Sequence, residues 1–182
     1  MKNTNIRKLA IAAVLTAIAV VGSAFVVPIG ASKCCPVQHL VNILAGVYLG
    51  PWYSLGAAFC ASLIRNILGT GTLLAFPGSM CGAFLCGAVY HLICQKGALK
   101  KIRLPLAYCG ELFGTSVIGG MLSFPIAAFL LGKEAALFTY VFPFFVSSCG
   151  GTIIAAVLVT AMKRVKVFDE FLGNTRSEAE KV

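Results

Sequence analysis

The chain has 182 residues, of which 59% are hydrophobic and only 12% charged, with a formal net charge of +9 and a mean hydropathy of +0.92. Soluble domains carry about one quarter charged residues, so this composition excludes an ordinary soluble globule. It predicts an all-α polytopic membrane protein of about six spans, each of about 20 residues. The expected organisation is a single membrane domain over residues 1–166 and a short cytoplasmic tail over 167–182.

In chain order, residues 1–8 are polar and basic, and 9–27 form the first apolar run. A secretory signal peptide also starts basic, turns apolar and ends in small residues, here Gly22, Ser23 and Ala24. This run is long for a signal core and many apolar segments follow, which favours a retained helix. Residues 28–36 read as a loop carrying Lys33, and 37–49 as a short second run ended by Gly50-Pro51. The third run is 52–68, the fourth 79–94, and between them lies an uncharged connector rich in Gly and Thr. Residues 95–103 form a basic loop, and the fifth run extends from 104 to about 125, with a stretch to 131 expected to dip back into the membrane. After a connector marked by Lys133 and Glu134, the sixth run covers 138–162.

Charge sets the orientation. Lys2, Arg7, Lys8, Lys96, Lys100, Lys101, Arg103, Lys163, Arg164 and Lys166 fall on one side of a six-span arrangement, and the opposite loops keep only Lys33 and Lys133. The basic side is cytoplasmic by the positive-inside rule, and so are both termini. A re-entrant hairpin made of the second and third runs would lower the count by two without changing the orientation. The basic residues contact anionic lipid headgroups. They are not interleaved with exposed aromatics, so nucleic acid is not an expected partner.

Catalytic chemistry is sparse. Gly69-Thr70-Gly71-Thr72 lacks the Lys of a phosphate-binding loop. The eight cysteines include no CxxC pair and mostly lie in apolar runs, so they read as small packing residues rather than metal ligands. His39 and His91 are expected at opposite membrane faces, and no nucleophile–base–orienter set is visible, so an enzyme is not expected. Glu111 is the one acid clearly inside a predicted span, near the cytoplasmic third of the fifth helix. There it suits either a proton site or a simple contact with water or a basic neighbour.

The outer side is richer. Gln38, His39 and Asn42 open the second run, Gln38 and Asn42 sharing a helical face. Arg65 and Asn66 close the third run at the same depth, and the connector adds Thr70, Thr72, Phe76 and Ser79. Donors, acceptors and an aromatic ring converging on one mouth suit a small polar heteroaromatic ligand. The competing structural reading has Arg65 snorkelling to the interface and the amide side chains cross-linking helices. Small residues four apart, at Ala13/Ala17, Gly78/Gly82 and Gly110/Gly114, mark faces where helices approach closely.

The segments Gly30-Ala31-Ser32-Lys33-Cys34-Cys35-Pro36-Val37-Gln38-His39 and Leu63-Ile64-Arg65-Asn66-Ile67-Leu68-Gly69-Thr70-Gly71-Thr72-Leu73-Leu74-Ala75-Phe76-Pro77-Gly78-Ser79 resemble the ThiW family. The resemblance extends from about Arg7 to Lys166. ThiW proteins are substrate-specific (S) components of energy-coupling factor (ECF) vitamin transporters. The resemblance implies a six-helix bundle in a prokaryotic cell membrane that captures the thiamine precursor hydroxyethylthiazole from outside. It also implies association with a transmembrane coupling protein and two cytoplasmic ATPases. The family's Ala-x-x-x-Ala motif matches Ala13 and Ala17, which implies that this face meets the coupling protein, although Ala10, Ala12, Thr16 and Ala19 leave the face ambiguous. The resemblance implies no cofactor. The alternative reading is a stand-alone proton-coupled transporter using Glu111, and a membrane enzyme using His39 or His91 ranks last.

Overall fold

The structure is a computed structural model that describes residues 2–24, 27–29, 32–93, 99–132, 134 and 136–165. The expectations resting on Cys94, Lys96, Lys133, Lys166 and the tail at 167–182 lie outside the described residues. Six helical rods carry the fold among those residues. They are α1 (Lys2–Val21), α2 (Pro36–Leu49), α3 (Pro51–Ile67), α4 (Ala75–Ala88, prolonged by Val89–Ile93), a fifth rod, and α7 (Val141–Val165). The fifth rod joins α5 (Leu99–Phe113) to α6 (Gly120–Pro125) through a π-helical turn at Gly114–Gly119 and ends in a second π turn at Ile126–Leu130. Between α1 and α2 a small antiparallel hairpin pairs β1 (Val27–Ile29) with β2 (Ser32–Cys34).

The rods alternate in direction between two ends of the bundle. At one end Lys8 lies over the ring of Tyr53, 5.9 Å from its centroid, and Arg103 stacks on Tyr90 at 4.4 Å. Leu49, Tyr48, Leu104 and Met162 gather in the same apolar cluster as Ala12 and Leu15. At the other end Ser23 bonds Thr70, the backbone of Cys35 bonds Ser147, and Leu74, Ala127, Tyr140 and Phe144 form a separate cluster. The start of α1 and the end of α7 therefore share one end.

Among the described residues, four segments are long and apolar enough to cross a membrane: Asn5–Ala24, Ala75–Leu92, Ile102–Leu130 and Val141–Met162. At 1.5 Å per residue, α2 and α3 reach only about 21 and 26 Å. Ten of the 14 residues of α2 are buried, because it packs on α1, α3, α4 and α7 at once. Its apolar run is a core element rather than a lipid-facing one. The outside of the bundle is apolar instead: Phe129, Ile67 and Val21 are 83%, 76% and 74% exposed. Inside lie hydroxyls, many bonded to a carbonyl of their own helix, as for Thr16 to Ala12, Ser79 to Ala75 and Ser123 to Gly119. This keeps polar groups satisfied away from water.

The seam between α4 and the fifth rod is built of glycines. A Cβ on Gly114 would sit 2.9 Å from the Cα of Gly82, and one on Gly119 would collide with Gly78. On α4 the two glycines are four residues apart, whereas on the fifth rod their partners are five apart. The π turn at Gly114–Gly119 absorbs the difference, since its bonds run over five residues instead of four.

The structure corrects three expectations. The stretch to 131 does not dip back; it continues the fifth rod, because Pro125 and the second π turn keep helical dihedrals. The basic loop is shorter than expected, since α5 already begins at Leu99 and includes Lys100, Lys101 and Arg103. The fourth helix starts at Ala75, with Pro77 in its first turn, where its missing N–H leaves nothing unsatisfied.

Candidate functional site

The end of the bundle away from Lys8 and Arg103 holds a cavity lined by Cys35, Gln38, His39, Arg65, Thr72, Ala75, Gly78, Ser79, Thr115, Phe144 and Ser147. It encloses about 430 Å³ of space between atoms, its open mouth included. The part wide enough for the centre of a water molecule is small, with room for about two waters.

Five residues singled out from sequence line this cavity: Gln38, His39, Arg65, Thr72 and Ser79. The other four stand behind or beside the wall. Asn42 donates from Nδ2 to the carbonyl of Ser79 at 3.2 Å and so ties α2 to α4. Asn66 donates to the carbonyls of Ser62 and Thr72, at 2.8 and 3.1 Å, pinning the connector to α3. Thr70 donates to the carbonyl of Arg65 at 3.3 Å and accepts from Ser23 at 3.1 Å. Phe76 packs on Phe59, with ring centroids 5.6 Å apart. The ring in the wall is Phe144, contributed by α7, a helix from which the sequence suggests no site residue.

Arg65 is only 3% exposed, which overturns snorkelling as its role. Its backbone carbonyl accepts from the amides of Thr70 and Gly71 at 3.0 and 2.9 Å, while its Nε has no partner among the described residues. A buried guanidinium with an unmade bond, lining a cavity, is a donor held ready for an acceptor.

Sequence reasoning also misses the partnership behind His39. Its Nδ1 lies 2.8 Å from Oε1 of Glu111, and Thr115 donates to that same oxygen at 2.8 Å. Glu111 is fully buried, and its Oε2 has no partner among the described residues. It lies near the middle of the fifth rod and meets a histidine. The room for this network comes from Gly82, whose Cβ would collide with the Thr115 hydroxyl. The one readable trace is Glu111 as an intramembrane acid. Its contact with His39 joins helices 72 residues apart, and no local pattern carries that. His91, at the far end, bonds the carbonyl of Val47 at 2.9 Å. Among the described residues no three His, Cys, Asp or Glu side chains converge.

Cys34 and Cys35 are buried rather than exposed in a loop. Burial pushes the Cys34 thiol up, an effect partly countered by its contact with Ser147.

On the opposite flank, α1 and α3 frame an open apolar groove lined by Ala13, Ala17, Trp52, Gly56 and Cys60, among others. Ala13 and Ala17 are exposed, whereas Ala12, Thr16 and Ala19 point inward. Of the four small residues that left the face ambiguous, only Ala10 is exposed like Ala13 and Ala17.

Neither the curated proteins nor the solved structures include a match to this chain. The family described as thiamine-precursor transporter protein matches residues 9–165, nearly all of the six rods and the whole cavity. With apolar helices of membrane-spanning length around a polar cavity, the chain belongs to the ThiW family of thiamine-precursor transporter proteins.

Proposed function

We propose that this protein is the substrate-capture subunit of an ECF-type vitamin transporter, taking hydroxyethylthiazole from outside the cell. The observation that carries this reading is the cavity itself. Its wall combines one aromatic ring, Phe144, with polar atoms of Gln38 and Arg65 that have no partner among the described residues. It opens at the end opposite Lys8 and Arg103, which the positive-inside rule assigns to the cytoplasm. All six rods then cross the membrane as one domain. Although α2 and α3 are short, the tip between them reaches the basic end, where a Cβ on Gly87 would lie 2.6 Å from Pro51. This supports a crossing pair over a re-entrant hairpin.

The chain has no ATP-binding loop, so energy comes from a coupling protein and two cytoplasmic ATPases. The groove carrying Ala13 and Ala17 is the proposed docking face, because small exposed side chains let a partner helix approach closely in lipid. The connector at 69–79 closes over the ligand, and the coupling protein reorients the bundle to release it inward. The host membrane is a prokaryotic plasma membrane.

Calorimetry on the purified protein with hydroxyethylthiazole, the pyrimidine fragment and thiamine tests the ligand. Tightest binding of hydroxyethylthiazole is expected, and preference for the pyrimidine overturns it. Arg65→Lys should weaken binding by about 1–3 kcal/mol, because Lys keeps the charge but loses the planar fork. Unchanged affinity at matched monodispersity would remove Arg65 from the site.

A second reading rests on the buried Glu111–His39 pair, which suits proton-coupled transport without partners. Uptake by the chain alone in proteoliposomes, driven by a pH gradient and lost in Glu111→Gln, would establish it instead.

A further inference from the structure

The cavity is backed by two hydrogen-bond chains whose directions can be followed atom by atom. In the first, Ser79 Oγ donates to the carbonyl of Ala75 at 2.8 Å, which uses its only proton. Ser62 Oγ, 2.9 Å from Ser79 Oγ, is therefore the donor of that pair. Having spent its proton, Ser62 must accept from Gln38, whose Nε2 lies 3.1 Å away. The orientation of the Gln38 amide follows: Oε1 is the atom left over, and it is buried without a partner among the described residues.

The second chain starts at Thr115, which donates to Glu111 Oε1 at 2.8 Å. That oxygen is an acceptor, and His39 Nδ1 lies 2.8 Å from it. With Glu111 ionised that oxygen only accepts, so the imidazole proton lies on Nδ1. In a neutral ring Nε2 is then a bare lone pair. Nε2 has no partner among the described residues, while His39 lines the cavity. The position of the ring is fixed from behind as well, because Gly151 of α7 leaves no gap against His39 Cβ, only 2.5 Å from where a Cβ on Gly151 would lie.

We infer that Glu111 is a positioning residue: it holds the His39 proton on Nδ1, so that Nε2, together with Gln38 Oε1, faces the cavity as an acceptor and the site takes ligands that donate a free hydroxyl there. This deepens the proposed function and rests on it for the identity of the ring. A primary alcohol satisfies both kinds of lining group, donating to His39 or Gln38 and accepting from the Arg65 guanidinium. An ionised phosphate ester only accepts. It would gain at Arg65, but would set its oxygens against two acceptors with the Glu111 carboxylate behind them. An ethyl group in place of hydroxyethyl would leave the acceptors unmade. The cavity therefore selects the free alcohol over both its phosphate ester and its deoxy analogue.

The test has two arms. The chain has two histidines, so ¹⁵N-histidine labelling of a His91→Gln protein leaves His39 as the only signal. Its tautomer can be read without any ligand. Protonated Nδ1 with bare Nε2 is expected, and in Glu111→Gln a mixture of tautomers, because an amide can either donate or accept. Protonated Nε2 in the Glu111 protein overturns the inference and needs no further variant to do so. In the second arm, hydroxyethylthiazole should bind about tenfold or more tightly than 5-ethyl-4-methylthiazole and than its own phosphate ester. The preference over the ethyl compound should shrink in Glu111→Gln. Equal affinity for alcohol and ethyl compound, or tighter binding of the phosphate, overturns the selectivity. If neither thiazole binds while Nδ1 is protonated, the thiazole reading of the ligand falls and the assignment of the two acceptors is supported.

Discussion

Two strips of small residues run along this molecule with the same spacing and opposite fates. On α4, Gly78 and Gly82 are covered by the fifth rod, backbone against backbone. On α1, Ala13 and Ala17 face an open groove, and opposite them Gly56 of α3 has nothing within 4 Å of where a Cβ would lie. Spacing of four identifies a face that permits close approach, but it does not say whether the chain itself fills that face. The covered strip stabilises the bundle, and the open one is available to another helix in the membrane.

Substitutions separate the two strips, and the expected effects fall in a clear order. Gly114→Leu should be the most damaging. Its Cβ would sit 2.8 Å from the carbonyl oxygen of Cys81 and 2.9 Å from the Cα of Gly82, backbone atoms that cannot rotate away. Loss of the monodisperse folded protein in detergent is expected, and normal thermal stability would show that the seam is not closed. Gly82→Ala comes next. The atom it strikes is the Thr115 hydroxyl, which can turn, so the protein should fold with stability lowered by about 1–3 kcal/mol. Because that turn breaks the bond to Glu111, ligand affinity should fall as well, measured by calorimetry on the folded fraction.

The open strip should respond differently. Ala13→Leu with Ala17→Leu should leave stability and ligand binding unchanged, while transport by the complete complex is blocked. Transport that survives would mean that partners dock elsewhere. Gly56→Ala is the mildest change: with no neighbour to strike, it should raise thermal stability slightly, since Ala exceeds Gly in helix preference by about 1 kcal/mol. A loss of stability there would mean that the groove is filled.

The sequence carries the rods well, because each apolar run is bounded by Gly, Pro or charge. It is less informative wherever distant segments meet. Gln38, His39, Arg65, Thr72 and Ser79 are recognisable as polar residues near run ends, and they do share a cavity wall. Asn66 and Thr70 look identical by that criterion, yet their side chains turn back on their own loop. Phe144 and Phe76 are both aromatic residues of the same bundle end, and only packing decides which ring faces inward. Counting from the basic loop puts Glu111 too near the basic end, because the structure begins α5 inside that loop.

The Gly114–Gly119 turn has a consequence for chain length. A π turn is one residue inserted into an α-helix. Deleting a single residue there would restore ordinary pitch and leave everything beyond it at nearly the same rotation, because five steps of a π turn sweep about as far as four of an α-helix. Ser123 would keep the carbonyl of Leu74, now 3.2 Å away, and Ala127 its cluster with Leu74, Tyr140 and Phe144. A relative one residue shorter in this segment would need its two seam glycines four apart instead of five. In a helix with no loop to absorb an indel, the count between two glycines then acts as a register mark, matched by the kind of turn that lies between them.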